Sequence, residues 1–139
     1  MAALTNYTEN KLIDHLFRTA TFAKPTTLYV GLATAAADGE AGTFTEVTGG
    51  SYARVARNPA DANWLDASVL NEGTTANTAS IQFPTATADW GTITHFVIYD
   101  AITTGGNALI YVALTNARTI TNGTTPSFAI GALTFQIDI

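Results

Sequence analysis

The stretch FPTATADWGTITHFVIYD, residues 83–100, gathers Asp89, Trp90, His95, Tyr99 and Asp100. A histidine with carboxylates near it can act as a general base or help to hold a metal. Either role needs convergent partners, and the spacing does not provide them. His95 lies in a run that alternates as a strand, with Ile93, Val97 and Tyr99 expected on its face. Asp89 and Asp100 fall at the strand's ends, where turns favour Asp because its side chain bonds nearby backbone. The second histidine that a metal site would want is His15, distant in the chain. Trp90, beside Gly91, reads as a core or subunit-interface anchor.

Other groupings carry weaker chemistry. Gly49-Gly50-Ser51-Tyr52-Ala53 imitates a nucleophile elbow with its last glycine changed to alanine. That motif needs a strand before it, a helix after it and a large α/β sheet. Here RVARNPADAN follows, alternating like a strand and running into Pro59. Asp38, Glu40 and Glu46 share a loop with Gly39 and Gly42, in a spacing that matches no calcium loop, and are expected to be solvated. Arg54 and Arg57, the only close basic pair, have two readings: a subunit contact or solvated strand ends. Trp64 with Asp61 and Asp66 is the one patch with an aromatic beside carboxylates, as sugar sites want. Its plainer reading is a turn-rich loop anchored by one tryptophan.

The elements that must carry these residues are mostly strands. Asn6 followed by Glu9 is a capping-box-like start to a helix over about 6–20, with Leu12, Ile13, Leu16, Phe17 and Ala20 on one face. Pro25 closes that segment. The apolar face either packs on the sheet or docks on a neighbouring subunit, which makes Leu12, Leu16 and Phe17 candidate interface residues together with Arg54, Arg57, Trp64 and Trp90.

After Pro25 the pattern is strands and turns. Leu28, Val30 and Leu32 alternate, as do Ala79, Ile81 and Phe83, and Leu133, Phe135, Ile137 and Ile139. Residues 93–99 and 109–114 are almost continuously apolar, as strands covered on both faces are. Gly105-Gly106-Asn107 between them predicts a hairpin, and Asn122-Gly123 a further turn. Residues 35–50 read as a long loop with one short edge strand at most, and 58–77 as a loop with a short strand near Ser68–Leu70. The expected fold is mainly β: an antiparallel β-sandwich, Ig-like or jelly-roll-like, of about seven to nine strands over residues 26–139, with one N-terminal α-helix in a single domain, 1–139.

Composition agrees. Charged residues are only 12% of the 139, about half the usual share. Threonine, present 25 times, supplies the polarity and favours pleated, half-buried surface. So little charge predicts a surface partly covered by neighbours. Six basic residues and a net charge of −5 leave no footprint for nucleic acid. No apolar run approaches a membrane span, and the charged N-terminal stretch lacks a signal peptide's apolar core. The absence of cysteine removes disulfides and thiolate chemistry. No catalytic residue, metal or cofactor is expected.

The segments LTNYTENKLIDHLF, LYVGLATA, GTFTEVTGGSYARV, FPTATADWGTITHFVIYDA and GGNALIYVALT resemble a family of small tailed-bacteriophage virion proteins, labelled phage tail fibre or head-decoration proteins. PTATADWGTITHF is the most specific part. The resemblance runs from about Leu4 to the final strand and is least informative over 58–77. It implies a structural, non-enzymatic subunit of the virion, assembled in the bacterial host cytoplasm. The first reading is an outer capsid decoration or cement subunit, and the alternative a tail fibre, tail or baseplate component. The expected partners are the major capsid protein or tail proteins and copies of the chain itself, with neither nucleic acid nor membrane.

Overall fold

A computed structural model of the chain describes residues 2–70, 72–103 and 106–137. The long apolar runs make its spine. Strand β7 (Gly91–Tyr99) and strand β8 (Ala108–Ile120) pair antiparallel, joined by the expected hairpin, of which Gly105 lies outside the described residues. Phe96, Val97, Ile98 and Tyr99 are all buried, as a strand covered on both faces requires. Beside β7 lies β2 (Tyr29–Asp38), which pairs in turn with β3 (Thr43–Glu46) and β4 (Val55–Ala56). A short β1 (Ala2–Leu4) pairs with β8 and completes a six-stranded sheet.

A second layer is built from two small antiparallel pairs. One joins β5 (Thr74–Ala76) to β10 (Thr134–Gln136), the other β6 (Ile81–Gln82) to β9 (Ser127–Phe128). Between the layers lies the main core. Val30, Leu32, Ile93, Phe96 and Ile98 come from the large sheet, and Ile81, Phe83, Leu133 and Phe135 from the small pairs. The fold is an antiparallel β-sandwich with a helix at its N-terminus. A smaller cluster of Ala33, Val97, Tyr99 and Ala108 covers the large sheet's other face.

Several expectations change in detail. Residues 35–50 are not one loop, because β2 continues to Asp38 and turns back as β3. Ser68–Leu70 forms turns, and the strand in that region is β5. The C-terminal strand covers Thr134–Gln136, and the expected alternation at Asp138 and Ile139 falls outside the described residues. Ile93 does not share His95's face. Between the pairs Ile93–Arg118 and His95–Ala113, two steps along β7 match five along β8. The ladder is irregular at this point, alternation breaks, and Ile93 joins Phe96 and Ile98 in the main core.

Helix α1 spans Asn6–Phe17, three residues shorter than expected. Its cap is Thr5 rather than Asn6. The Thr5 hydroxyl accepts from the Thr8 N–H and donates to the Ala108 carbonyl at 2.6 Å. The Thr8 hydroxyl adds a bond to the Leu109 carbonyl. The helix start is thus stapled to β8, while none of its residues is buried. Ile13, Leu16 and Phe17 are 54%, 63% and 78% exposed, so this face does not cover the sheet.

Candidate functional site

The residues of 83–100 with chemical potential are spent on turns. The Asp89 carboxylate accepts from the Asn122 N–H at 2.8 Å and holds the Asn122-Gly123 turn. Asp100 takes the Asn107 N–H at 2.6 Å and its side-chain amide at 2.8 Å, closing the β7–β8 hairpin. Among the described residues the His95 ring meets the Thr94 hydroxyl alone as a hydrogen-bond partner, 2.8 Å from Nδ1, and partial burial lowers its pKa. Among the described residues no three His, Cys, Asp or Glu side chains converge to hold a metal ion.

Ser51 does sit in a strained, left-handed backbone (φ 62°), as an elbow serine would. Gly49 and Gly50 share that positive φ and make a tight turn. No helix follows, however, and the Ser51 hydroxyl meets the Thr87 hydroxyl at 2.9 Å rather than a base that would activate it.

One residue of the acidic loop, Glu46, and one of the basic pair, Arg54, separate in sequence, come together in a largely buried network. Asp38 caps its own turn through the Ala41 N–H. Glu46, at the end of β3, instead takes Arg54 in a bidentate ion pair at 2.7 and 2.8 Å. Arg54 is only 9% exposed, and its guanidinium lies 3.4 Å from the centre of the Tyr99 ring. Its remaining nitrogen donates to the carbonyls of Ala101 and Thr103. The Tyr52 hydroxyl donates to Glu46 at 2.7 Å and accepts the Leu32 N–H. Gly31 makes room for this. A Cβ there would lie 2.8 Å from the Tyr99 ring and 3.0 Å from Glu46. The network braces β2, β3 and the β7–β8 hairpin against one another, and Arg54 is not a solvated strand end. Sequence showed both halves, but nothing in it paired Glu46 with a residue eight positions on across a glycine turn.

Burial, and then the neighbouring Glu46 charge, raises the Tyr52 phenol far above its ordinary value and pushes Tyr99 up to about 12. Unfolded phenols ionise near pH 10. The raised folded values therefore contribute stability that is fully present below pH 10 and is lost progressively above it, the Tyr99 share as pH rises through about 12. Thermal unfolding followed across pH 8–12 is expected to show a falling Tm above pH 10. Phenolate absorbance of Tyr52 should rise only with unfolding, and that of folded Tyr99 only as pH nears about 12. A Tyr52→Phe variant should lose part of that coincident step.

The remaining candidates divide. Trp90 is buried, with its indole N–H on the Gly50 carbonyl and its ring edge-on to Tyr52. Arg57 is half-buried and accepts the Trp64 indole N–H on its carbonyl. Leu16 and Phe17 stand exposed on the helix, with Leu12 half-buried beside them. A groove of about 670 Å3 follows the bulged part of β8, lined by Leu114, Arg118, Pro126 and Phe128 among others, with Arg118 its one ionisable group among the described residues. A second depression, of about 440 Å3, gathers Lys24, Asp61, Trp64 and Asp66. Lys24 had no signal in the sequence to join it to that patch.

These features define a β-sandwich whose polar clusters serve as internal braces and turn caps, with apolar and aromatic surface left at the helix and around Trp64. The chain belongs to the family described as Podophage GP4 fiber I protein gp80, whose model matches residues 3–136. It is therefore a structural protein of the bacteriophage virion, from a family of tail-fibre type. No curated protein matches it. Among the described residues no helix is long and apolar enough to cross a membrane.

Proposed function

We propose that the chain is a structural subunit of a phage's tail-fibre apparatus and works by contact with neighbouring virion proteins. The observation that carries this reading is the match to a fibre family over nearly the whole chain. Capsid decoration, the first expectation from sequence, draws on the head-decoration label within the resemblance and on low charge and β character, which any virion subunit can share. The fibre alternative has the family behind it. Leu16 and Phe17, with Leu12, are the surface we assign to contact with a tail protein or a second copy. An apolar helical ridge is suited to lie in a partner's groove. Copy number tests the location. Quantitative mass spectrometry of purified particles is expected to find a few to tens of copies, removed when the tails are detached. Hundreds of copies retained on tailless heads would return the protein to the capsid.

A further inference from the structure

We infer that the depression around Trp64 is a saccharide-binding site. The segment 57–66 is wound to present it. The Trp64 indole N–H is committed to the Arg57 carbonyl at 3.3 Å, which sets the ring's direction. The backbone of residue 64 bridges to Asn77, and the Leu65 N–H bonds the Ala76 carbonyl. On its core side the ring meets Phe135 edge-on, centroids 5.6 Å apart. The half-buried indole then lines an open depression of about 440 Å3, within the roughly 300–1,000 Å3 of small-ligand sites.

Around this platform stand exposed Asp61, Asp66 and Lys24, with Pro59 completing an apolar edge. Asp66 is pre-oriented, because one carboxylate oxygen takes both the N–H and the hydroxyl of Ser68 at 2.9 and 2.7 Å. Its other oxygen faces no hydrogen-bond donor among the described residues. Carboxylates accept, and the Lys24 ammonium donates.

The mixture selects the ligand class. Two carboxylates against one ammonium disfavour an anion. The ammonium in turn disfavours a cation. One ring and one proline are too little apolar surface for a lipid. A pyranose fits: its C–H face can rest on the indole, and its equatorial hydroxyls can donate to carboxylates and accept from the lysine. The same chemistry is offered by a free sugar and by a ring of a polysaccharide. The site goes beyond the fibre reading and does not rest on it, since it is tested on the isolated chain while copy number tests location.

The probes are methyl glycosides of glucose, mannose and galactose, and N-acetylglucosamine, titrated into the full chain while the Trp64 indole N–H is followed by NMR. Buried Trp90 serves as the internal control. At least one pyranoside should give a saturable millimolar shift at Trp64 and none at Trp90. Asp61→Ala, an exposed change that should leave the fold intact, should weaken it at least fivefold, and Lys24→Ala should weaken it as well. Trp64→Phe keeps a ring against Phe135 and should fold while binding more weakly. Dextran or mannan compared with its methyl glycoside separates the two sources: tighter binding per ring indicates a polymer, and equal binding a single terminal ring. The inference is overturned if no pyranoside gives a saturable shift at Trp64. It is equally overturned if Asp61→Ala binds unchanged, or if tetramethylammonium shifts Trp64 where the sugars do not.

Discussion

Replacing Arg54 with alanine should lower stability by about 3–5 kcal/mol, the usual cost of breaking a buried ion pair from one side. For a chain of this size that corresponds to a fall in Tm of roughly 10–15 °C. The reason lies less in the lost attraction than in what remains. Glu46, whose side chain is 18% exposed, would be left with only the Tyr52 hydroxyl among its present side-chain partners. The carbonyls of Ala101 and Thr103 would lose their donor, and Tyr99 its stacked cation. Lysine should not rescue, because an ammonium cannot make the bidentate pair, reach two carbonyls and lie flat on a ring. The double variant Arg54→Leu with Glu46→Leu should recover much of the loss, since an apolar pair leaves no orphaned charge. Denaturant unfolding of the two single variants and the double one gives the coupling directly. A cost below about 1 kcal/mol for Arg54→Ala would mean that the network does not brace the sheet.

Asn77→Ala should be nearly as damaging, at about 3–4 kcal/mol, because it strips three bonds from a wholly buried site. The Asn77 amide donates to the carbonyls of Ala79 and Ala129, and its oxygen accepts the Leu133 N–H. Its own backbone pairs with Leu133 and Gly131. One side chain therefore ties the β5 region to the chain before β10, in a layer of two-residue and three-residue strands that has few ladder bonds of its own. Asn77→Asp is the informative companion. It keeps the acceptor for Leu133 but turns the donor toward two carbonyls into a carboxylate, so it should be no better tolerated than alanine. Equilibrium unfolding by circular dichroism measures both. Hydrogen exchange should show faster opening around β5 and β10 than in β7. Near-wild-type stability in Asn77→Ala would show that the second layer is held by its apolar contacts alone.

The two sites differ in how far they could be foreseen. Arg54 stood out in sequence as half of a rare basic pair, and only its partner was hidden. Asn77 did not stand out at all, because an asparagine in a turn-rich stretch reads as solvated loop. Trp64 with Asp61 and Asp66 could be read as a patch because the three lie within six positions. Lys24 could not, since it arrives from a different segment.

The β character, the β7–β8 hairpin and a helix near the N-terminus followed from the chain alone. Threonine content, period-two alternation and glycine turns act over a few residues, so they survive without any knowledge of the fold. The resemblance to phage virion proteins rested likewise on contiguous motifs. Tertiary structure decided the rest. Ile93 takes the main-core face where the β7–β8 register breaks, a change of parity that local alternation cannot signal. The pairing of Glu46 with Arg54, the β5–β10 ladder and the exposure of Leu16 and Phe17 depend on which distant segments meet. Those contacts are set by the closing of two layers over one core, and their energies belong to pairs of residues rather than to any stretch of sequence.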